Sequence, residues 1–289
     1  MEQQETIIKS KRRVKKHGEV FTPRKIVRQM IDAPEWEGAL MDNTKRLLEP
    51  SAGEGNFLVE ILKDRLAKIR AACGDNVTRY ENQALLALST MYGIELLEDN
   101  AKTCVMSVHQ VFCQDYADWV AYQNRQLHMS VPTGSTALDN CEPAGKRAHL
   151  ERRKRKWYRR KKIIDSARTI IASNIMQGDF LTGRRADGTP LILTEWRVVG
   201  DITRTTIYVI PTEWTWDEWE QDVDVPAGRV YTGRRIRPVQ RQMSLFAESE
   251  EETSVKRRYI KTAIENVCEE EQEEEYVHDA DGASTTDTV

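Results

Sequence analysis

The segment Leu47-Leu48-Glu49-Pro50-Ser51-Ala52-Gly53-Glu54-Gly55-Asn56-Phe57-Leu58 constrains this chain's fold more than any other. An apolar pair suited to a strand ends in a carboxylate, and a turn with two glycines one residue apart follows. Phe57, Leu58, Ile61, Leu62, Leu66 and Ile69 then recur every three or four positions, which predicts an amphipathic helix. Gly74-Asp75-Asn76 ends it. The two glycines let the loop pass close to a ligand with no Cβ in the way. The helix start offers unpaired N–H groups to a polar or negative group. At the tip of a parallel strand this is the place for a nucleotide-like ligand. No Lys-Ser/Thr follows the glycines, so a phosphate-cradling P-loop is excluded. The dehydrogenase glycine pattern fits badly, because the first glycine comes only after Pro-Ser-Ala.

The flanking sequence extends the pattern. A helix is expected to start at Thr22-Pro23, carry Ile26, Val27, Met30 and Ile31, and stop at Pro34. A helical run over Ala84 to Leu88 leads to a second strand, Met91 to Glu95. Asp99 or Asn100 can cap a further helix with Cys104, Val105, Val108, Val111 and Phe112 on its apolar side. Strand–helix–strand–helix predicts an α/β fold, a parallel sheet wrapped by helices. The pattern fades from about 117 to 170, a region read as an insertion with a basic helix. Ser173 to Gln177 is a third strand, ending at Gly178-Asp179-Phe180-Leu181. Leu191 to Val199 and Thr205 to Ile210 are further strands around the turn Gly200-Asp201, and 211–246 is irregular and Trp-rich. The expected division is a basic flexible arm or short polar helix over 1–16, a domain over 17–246, and an acidic, disordered tail over 247–289 with a possible helical turn around Val255 to Ile264.

The charge of −3 conceals an asymmetry. The tail carries a net −10 and the rest of the chain +7, and 11 of the 17 residues in 146–162 are Lys or Arg. A basic body suits a nucleic-acid partner. The sequence holds no run of about 18 apolar residues and no signal peptide, so neither a membrane span nor export is expected, and a cytoplasmic location is. Five cysteines without a Cys-x-x-Cys pair support neither a disulfide framework nor a zinc site, and Cys104 and Cys113 read as buried thiols. No metal-binding motif such as His-Glu-x-x-His occurs, so no metal is expected.

The turn segment Glu49 to Leu58 resembles the S-adenosylmethionine-binding loop of the adenine-specific DNA methyltransferases, usually Asp-Pro-Ala-Cys-Gly-Ser-Gly-x-Phe-Leu. Upstream, His17-Gly18-Glu19-Val20-Phe21-Thr22-Pro23 resembles the family's Phe-Thr-Pro segment, which touches the methionine end of the cofactor. Tyr92-Gly93-Ile94-Glu95 is similar to the second strand, whose carboxylate binds the ribose hydroxyls. Gly178-Asp179-Phe180-Leu181 is similar to the third strand end, whose Asp and apolar neighbour contact the cofactor's adenine. The four elements stand in the family's order and cover about a third of the chain. The resemblance implies a Rossmann-like methyltransferase fold. It also implies S-adenosylmethionine binding by Phe21, Thr22, Pro23, Glu49, Pro50, Ser51, Ala52, Gly53, Glu54, Gly55, Asn56, Phe57, Glu95, Asp179 and Phe180. The implied reaction is methyl transfer to the adenine amino group of DNA in a restriction–modification setting.

The family's catalytic Asn-Pro-Pro-Tyr-type element is missing, since no Pro-Pro occurs anywhere in the chain. At the corresponding place stand Pro211-Thr212-Glu213-Trp214, where Glu213 is a possible hydrogen-bond acceptor and Trp214 a possible base-stacking ring. No catalytic residue is assigned. Three readings follow: a methyltransferase with an unusual catalytic loop, one needing a second methyltransferase or restriction subunit, and an inactive DNA-binding accessory subunit or pseudoenzyme. A methyltransferase for protein or small molecules is a further rival. Arg152, Arg153, Arg155, Lys156, Trp157, Arg159 and Arg160 are the candidate DNA contacts, the cations for phosphates and Trp157 for stacking. Gln242-Met243-Ser244-Leu245-Phe246 resembles the short peptide that docks in the bacterial replication sliding clamp, which makes that clamp a candidate partner.

Overall fold

The computed structural model describes residues 8–36, 38–129, 143–221, 254–259, 261–269 and 272–277. The protein is mixed α/β. Three short parallel strands lie at its centre in the order β1 (Leu47–Glu49), β2 (Met91–Glu95), β3 (Ile175–Gln177). The register sets Leu47 against Met91 and Glu95 against Gln177. The middle strand β2 is buried along its whole length, which suits its apolar run.

Helices α3 (Asn56–Cys73) and α4 (Val77–Ser89) connect β1 to β2. The stripe expected on α3 is buried: Leu58, Ile61, Leu62, Leu66 and Ile69. Arg65 on the same helix is also buried, and burial pulls its pKa down to about 10. Its guanidinium donates to the carbonyls of Leu40, Asp42, Lys45 and Ala87 and to the Thr90 hydroxyl, so its donors are matched by oxygens rather than by a carboxylate. It thereby pins the loop entering β1 to α3 and α4.

Two helices of 32 residues each, α5 (Glu98–Met129) and α6 (Pro143–Asn174), stand between β2 and β3. The region expected as an insertion is therefore largely their continuation. Cys104, Val108 and Phe112 of the stripe expected on α5 are buried against the core, and Tyr116 and Trp119 extend that stripe into the region where the pattern fades. Ile163, Ala167, Ile170 and Ile171 of α6 are buried against the same core. Ser173 and Asn174 end α6 instead of starting the third strand. Asn174 donates to the carbonyls of Leu88 and Met91 and accepts from the Trp196 indole, which locks α6 to the strands.

A second sheet joins β4 (Ile192–Val199) and β5 (Tyr208–Thr215) as an antiparallel hairpin. Pro211 to Trp214 continue β5, opposite Leu193 to Trp196, and are not irregular. Alternate residues Val209, Pro211, Glu213 and Thr215 face inward. The short helix α7 (Trp216–Glu220) is started by a capping box of Thr215 and Glu218.

For the described residues of the tail, strands β6 (Ser254–Tyr259), β7 (Thr262–Ala263) and β8 (Gln272–Val277) correct the reading as disordered. β7 pairs with Tyr208 and Val209 of β5, and Ile264 and Val267 of the adjoining 3-10 helix (Ile264–Glu269) are buried in the core. β6 and β8 are antiparallel, with Lys256, Arg257 and Arg258 opposite Glu275, Glu274 and Glu273. Net acidity averaged over the segment conceals the apolar pair.

At the other end, α1 (Lys11–His17) is capped by Ser10, and α2 (Arg24–Ile31) buries Val27 and Ile31. Pro23 is the residue flanking α2, so the helix starts one position later than Thr22-Pro23 predicts. Among the described residues no helix is long and apolar enough to cross a membrane.

Candidate functional site

A cleft of about 410 Å³ opens at the C-terminal ends of β1, β2 and β3. Its size lies within the ~300–1,000 Å³ usual for small-molecule sites. The turn Pro50 to Gly53 forms one wall, and Ala52 N–H bonds the Ile94 carbonyl at 2.9 Å, which holds that turn to β2. Gly53 has φ +54° and Gly55 φ +90°, a region that L side chains avoid. A Cβ on Gly55 would lie 2.8 Å from the Cys104 sulfur, so this glycine also lets the start of α3 sit against α5. Burial raises the Cys104 thiol to about 12, which leaves it a packing group.

Glu95 ends β2 at the base of the cleft and is 6% exposed. One carboxylate oxygen accepts from Gly53 N–H at 2.8 Å. The other accepts from Leu97 N–H at 2.9 Å and from the Asn100 amide at 3.4 Å. The acid thus fixes the turn and the start of α5 together. Asn56 donates to the Thr22 carbonyl at 3.0 Å, joining the turn to the Phe21-Thr22 wall. Across the cleft, Asp179 accepts from Leu181 N–H at 2.9 Å, which shapes the loop after β3. Phe180 meets Trp216 edge to face at 5.5 Å.

Phe21, Thr22, Pro50 to Glu54, Asn56, Phe57, Glu95, Asp179 and Phe180 all line this cleft. Pro23, Glu49 and Gly55 do not. Pro23 precedes α2, Gly55 packs under Cys104, and Glu49 ends β1 with its carboxylate accepting from Ser51 N–H at 3.2 Å. Burial raises the Glu49 pKa, and the Ser51 bond opposes that rise.

A polar clasp that the sequence does not announce lies at the cleft mouth. Arg13 donates to Glu19 at 2.5 and 2.7 Å and to Asp99 at 2.7 and 3.0 Å. Lys9 reaches Glu54 at 2.8 Å, Asp99 at 3.1 Å and Asn100 at 2.6 Å, and lies 5.6 Å from the centre of the Phe21 ring. The described part of the arm, residues 8–16, is therefore docked on the turn and on α5, and it takes the short-helix alternative of the two expected for it. Burial opposes the charge on Glu19, but the bonds from Arg13 and Asn100 outweigh it and lower its pKa. Asp99 is lowered too, chiefly by the Arg13 hydrogen bond and then, against a smaller opposing burial effect, by Lys9. Asp99 and Asn100 lie inside the first turn of α5 and do not cap it from outside.

On α6, Trp157 and Tyr158 are 58% and 63% exposed, and Arg155, Lys156 and Arg160 are exposed as well. Arg159 departs from the expected face. It turns inward to Glu81, a 1% exposed carboxylate that also accepts from the Tyr116 hydroxyl at 2.7 Å, and it reaches Glu265 at 3.3 Å. It is a structural cation joining α4, α6 and the last 3-10 helix. The side chains of Arg152 and Arg153 and the segment Gln242 to Phe246 lie outside the described residues.

Glu213 and Trp214 do not line the cleft. Glu213 is buried within β5, and Trp214 borders a separate hollow of about 360 Å³ with Leu48, Tyr92 and Trp219. Comparison of the chain with protein-family models, with curated proteins and with solved structures found no match.

Proposed function

We propose that this chain binds S-adenosylmethionine in the cleft at the ends of β1–β3, as part of a Rossmann-like DNA methyltransferase that modifies the adenine amino group in a restriction–modification setting. One observation carries the reading. Four separate segments, chosen from their resemblance to that family, converge on a single cleft at the carboxyl ends of parallel strands. The donor set fits such a ligand. The Glu95 oxygen bonded to Gly53 has one N–H partner and so keeps a lone pair for a ribose hydroxyl. Glu95 and Asp179 give the lining a negative character that suits a sulfonium and an ammonium group, while Glu19 and Glu54 are paired with Arg13 and Lys9. When bound, the cofactor supplies an electrophilic methyl group. This chain's part is to hold it at the glycine turn and to keep Glu95 in place through Leu97 and Asn100.

A second reading has its own support. Neither Glu213 nor Trp214 lines the cleft, and β1 is an edge strand among the described residues, with Leu48 exposed beside the second hollow. An edge strand can accept a strand from another polypeptide. This favours a catalytic group supplied by a second subunit, or a DNA-binding accessory subunit without turnover of its own.

Calorimetric titration with S-adenosylmethionine tests the cofactor. Saturable binding is expected for the parent and none for Gly53→Val, whose side chain would fill the gap toward Phe21, where even a Cβ comes within 3.5 Å. A parent that takes up no heat of binding sinks the reading. Tritiated methyl incorporation into DNA, with and without the product of the adjacent gene, separates the two versions.

A further inference from the structure

Beside the cleft lies a basic hollow that the cofactor reading does not use. It has a volume of about 360 Å³ and is lined by Ser10, Arg12, Arg13, Lys16, His17 and Leu97. His17 and Leu97 also line the cleft, so the hollow adjoins its mouth. The clasp orients it. Arg13 is committed to Glu19 and Asp99, and Lys9 to Glu54 and Asp99, so α1 is held by one side. Arg12 and Lys16 stand four residues apart on one face of α1 and are exposed. Among the described residues neither has a carboxylate partner.

We infer that Arg12 and Lys16 form a phosphate-binding site for the backbone of a nucleic acid strand entering the cleft mouth. The guanidinium offers a planar fork to phosphate oxygens and the ammonium a mobile point charge. A polyanion is favoured over a free anion because none of the residues lining the hollow is buried, so nothing there encloses a small ion, and because the chain exposes further cations at Arg155, Lys156 and Arg160 of α6. The inference rests on the nucleic-acid part of the proposed function and is independent of the cofactor.

The test is fluorescence anisotropy of the full chain with a labelled 20-base-pair duplex, without S-adenosylmethionine, across a salt series. Arg12→Ala/Lys16→Ala removes two charges from the hollow. Lys11→Ala/Lys15→Ala removes two from elsewhere on α1 and is the control. With about 0.9 in the log–log salt slope per phosphate contact, the first variant should flatten the slope by ~1.8. The control should flatten it by less than half as much. Circular dichroism equal to the parent's shows that each variant is folded, and if Arg12→Ala/Lys16→Ala is not, Arg12→Gln/Lys16→Gln replaces it. An unchanged slope, or equal loss in both pairs, overturns the site. Displacement of the duplex by inorganic phosphate at matched ionic strength would mark a small-anion site and also overturns it. Failure of cofactor binding in the parent leaves this measurement intact, so the two readings fail separately.

Discussion

Gly55→Ala, read against Cys104→Ala, tests whether the glycine turn is shaped by its contact with α5. A Cβ at residue 55 would stand 2.8 Å from the Cys104 sulfur and 3.4 Å from its Cα. Unstrained carbon contacts need about 3.5–4.0 Å, so close to an ångström must be found. Cys104 is fully buried between neighbours on α5, which leaves little room to yield. Overpacking of this kind costs ~1–3 kcal/mol. The φ of +90° adds ~1 kcal/mol for any L side chain. The single variant should therefore lose ~2–4 kcal/mol in urea unfolding at unchanged slope.

Cys104→Ala removes the sulfur, and in the double variant the new methyl group occupies the emptied space. The overpacking share should return as a coupling of ~1–3 kcal/mol between the two sites, while the backbone share of ~1 kcal/mol remains. Coupling below about 0.5 kcal/mol would mean that the Gly55 position does not face Cys104. The turn would then not be seated on α5, and the cleft geometry built on it would fall.

Two further outcomes separate structure from surface. Arg159→Ala should destabilise the protein by ~2–3 kcal/mol, because it leaves the buried Glu81 with only the Tyr116 hydroxyl, a penalty reduced by water around the half-exposed guanidinium. Arg160→Ala should stay within ~0.5 kcal/mol in the same denaturant assay while weakening duplex binding, and equal destabilisation by both would refute the inward placement of Arg159. Docking of α1 should depend on acid. Glu19 and Asp99 have lowered pKa values when folded, so their contribution is fully present above the ordinary carboxylate range of about 4 and is lost as pH falls through the lowered values. Hydrogen exchange of α1 amides, corrected for intrinsic rates, should show constant protection from pH 7 to about 5 and loss below about 4, and loss already near pH 6 would assign the clasp to another group.

The cleft was legible because its requirements are local. Two glycines with positive φ, a carboxylate at a strand end and an apolar helical stripe each leave a mark within a few residues of sequence. The clasp was not legible, because Lys9 and Arg13 share the Asp99 carboxylate and the Asn100 amide oxygen on α5, 86 to 91 positions away. Read locally, those cations belong to a solvated arm. Pro211 to Trp214 misled for a related reason. Alternation along β5 continues through them, yet Pro-Thr-Glu-Trp resembles a loop when the opposite strand is unknown.

Arg159 is the instructive case. It lies within a densely basic run, and composition treats it like its neighbours. Its helical phase does not, since it precedes Ile163 by four positions, Ser166 by seven and Ile170 by eleven, all buried on α6. Periodicity therefore contained the answer that charge counting obscured. The acidic tail makes the same point from the other side. Ile264 and Val267 bring the segment into the core, Glu265 meets Arg159, and Glu269 meets Lys162 at 3.1 Å. Basic run and acidic tail are thus in part each other's counter-charge within one folded body. The cations left for a polyanion on the described part of this face are fewer than the sequence suggests: Arg155, Lys156, Arg160 and Lys161, with Lys161 5.8 Å from the Trp157 ring. A salt slope larger than these groups can supply must draw on cations elsewhere, and Arg12 and Lys16 beside the cleft are placed to contribute.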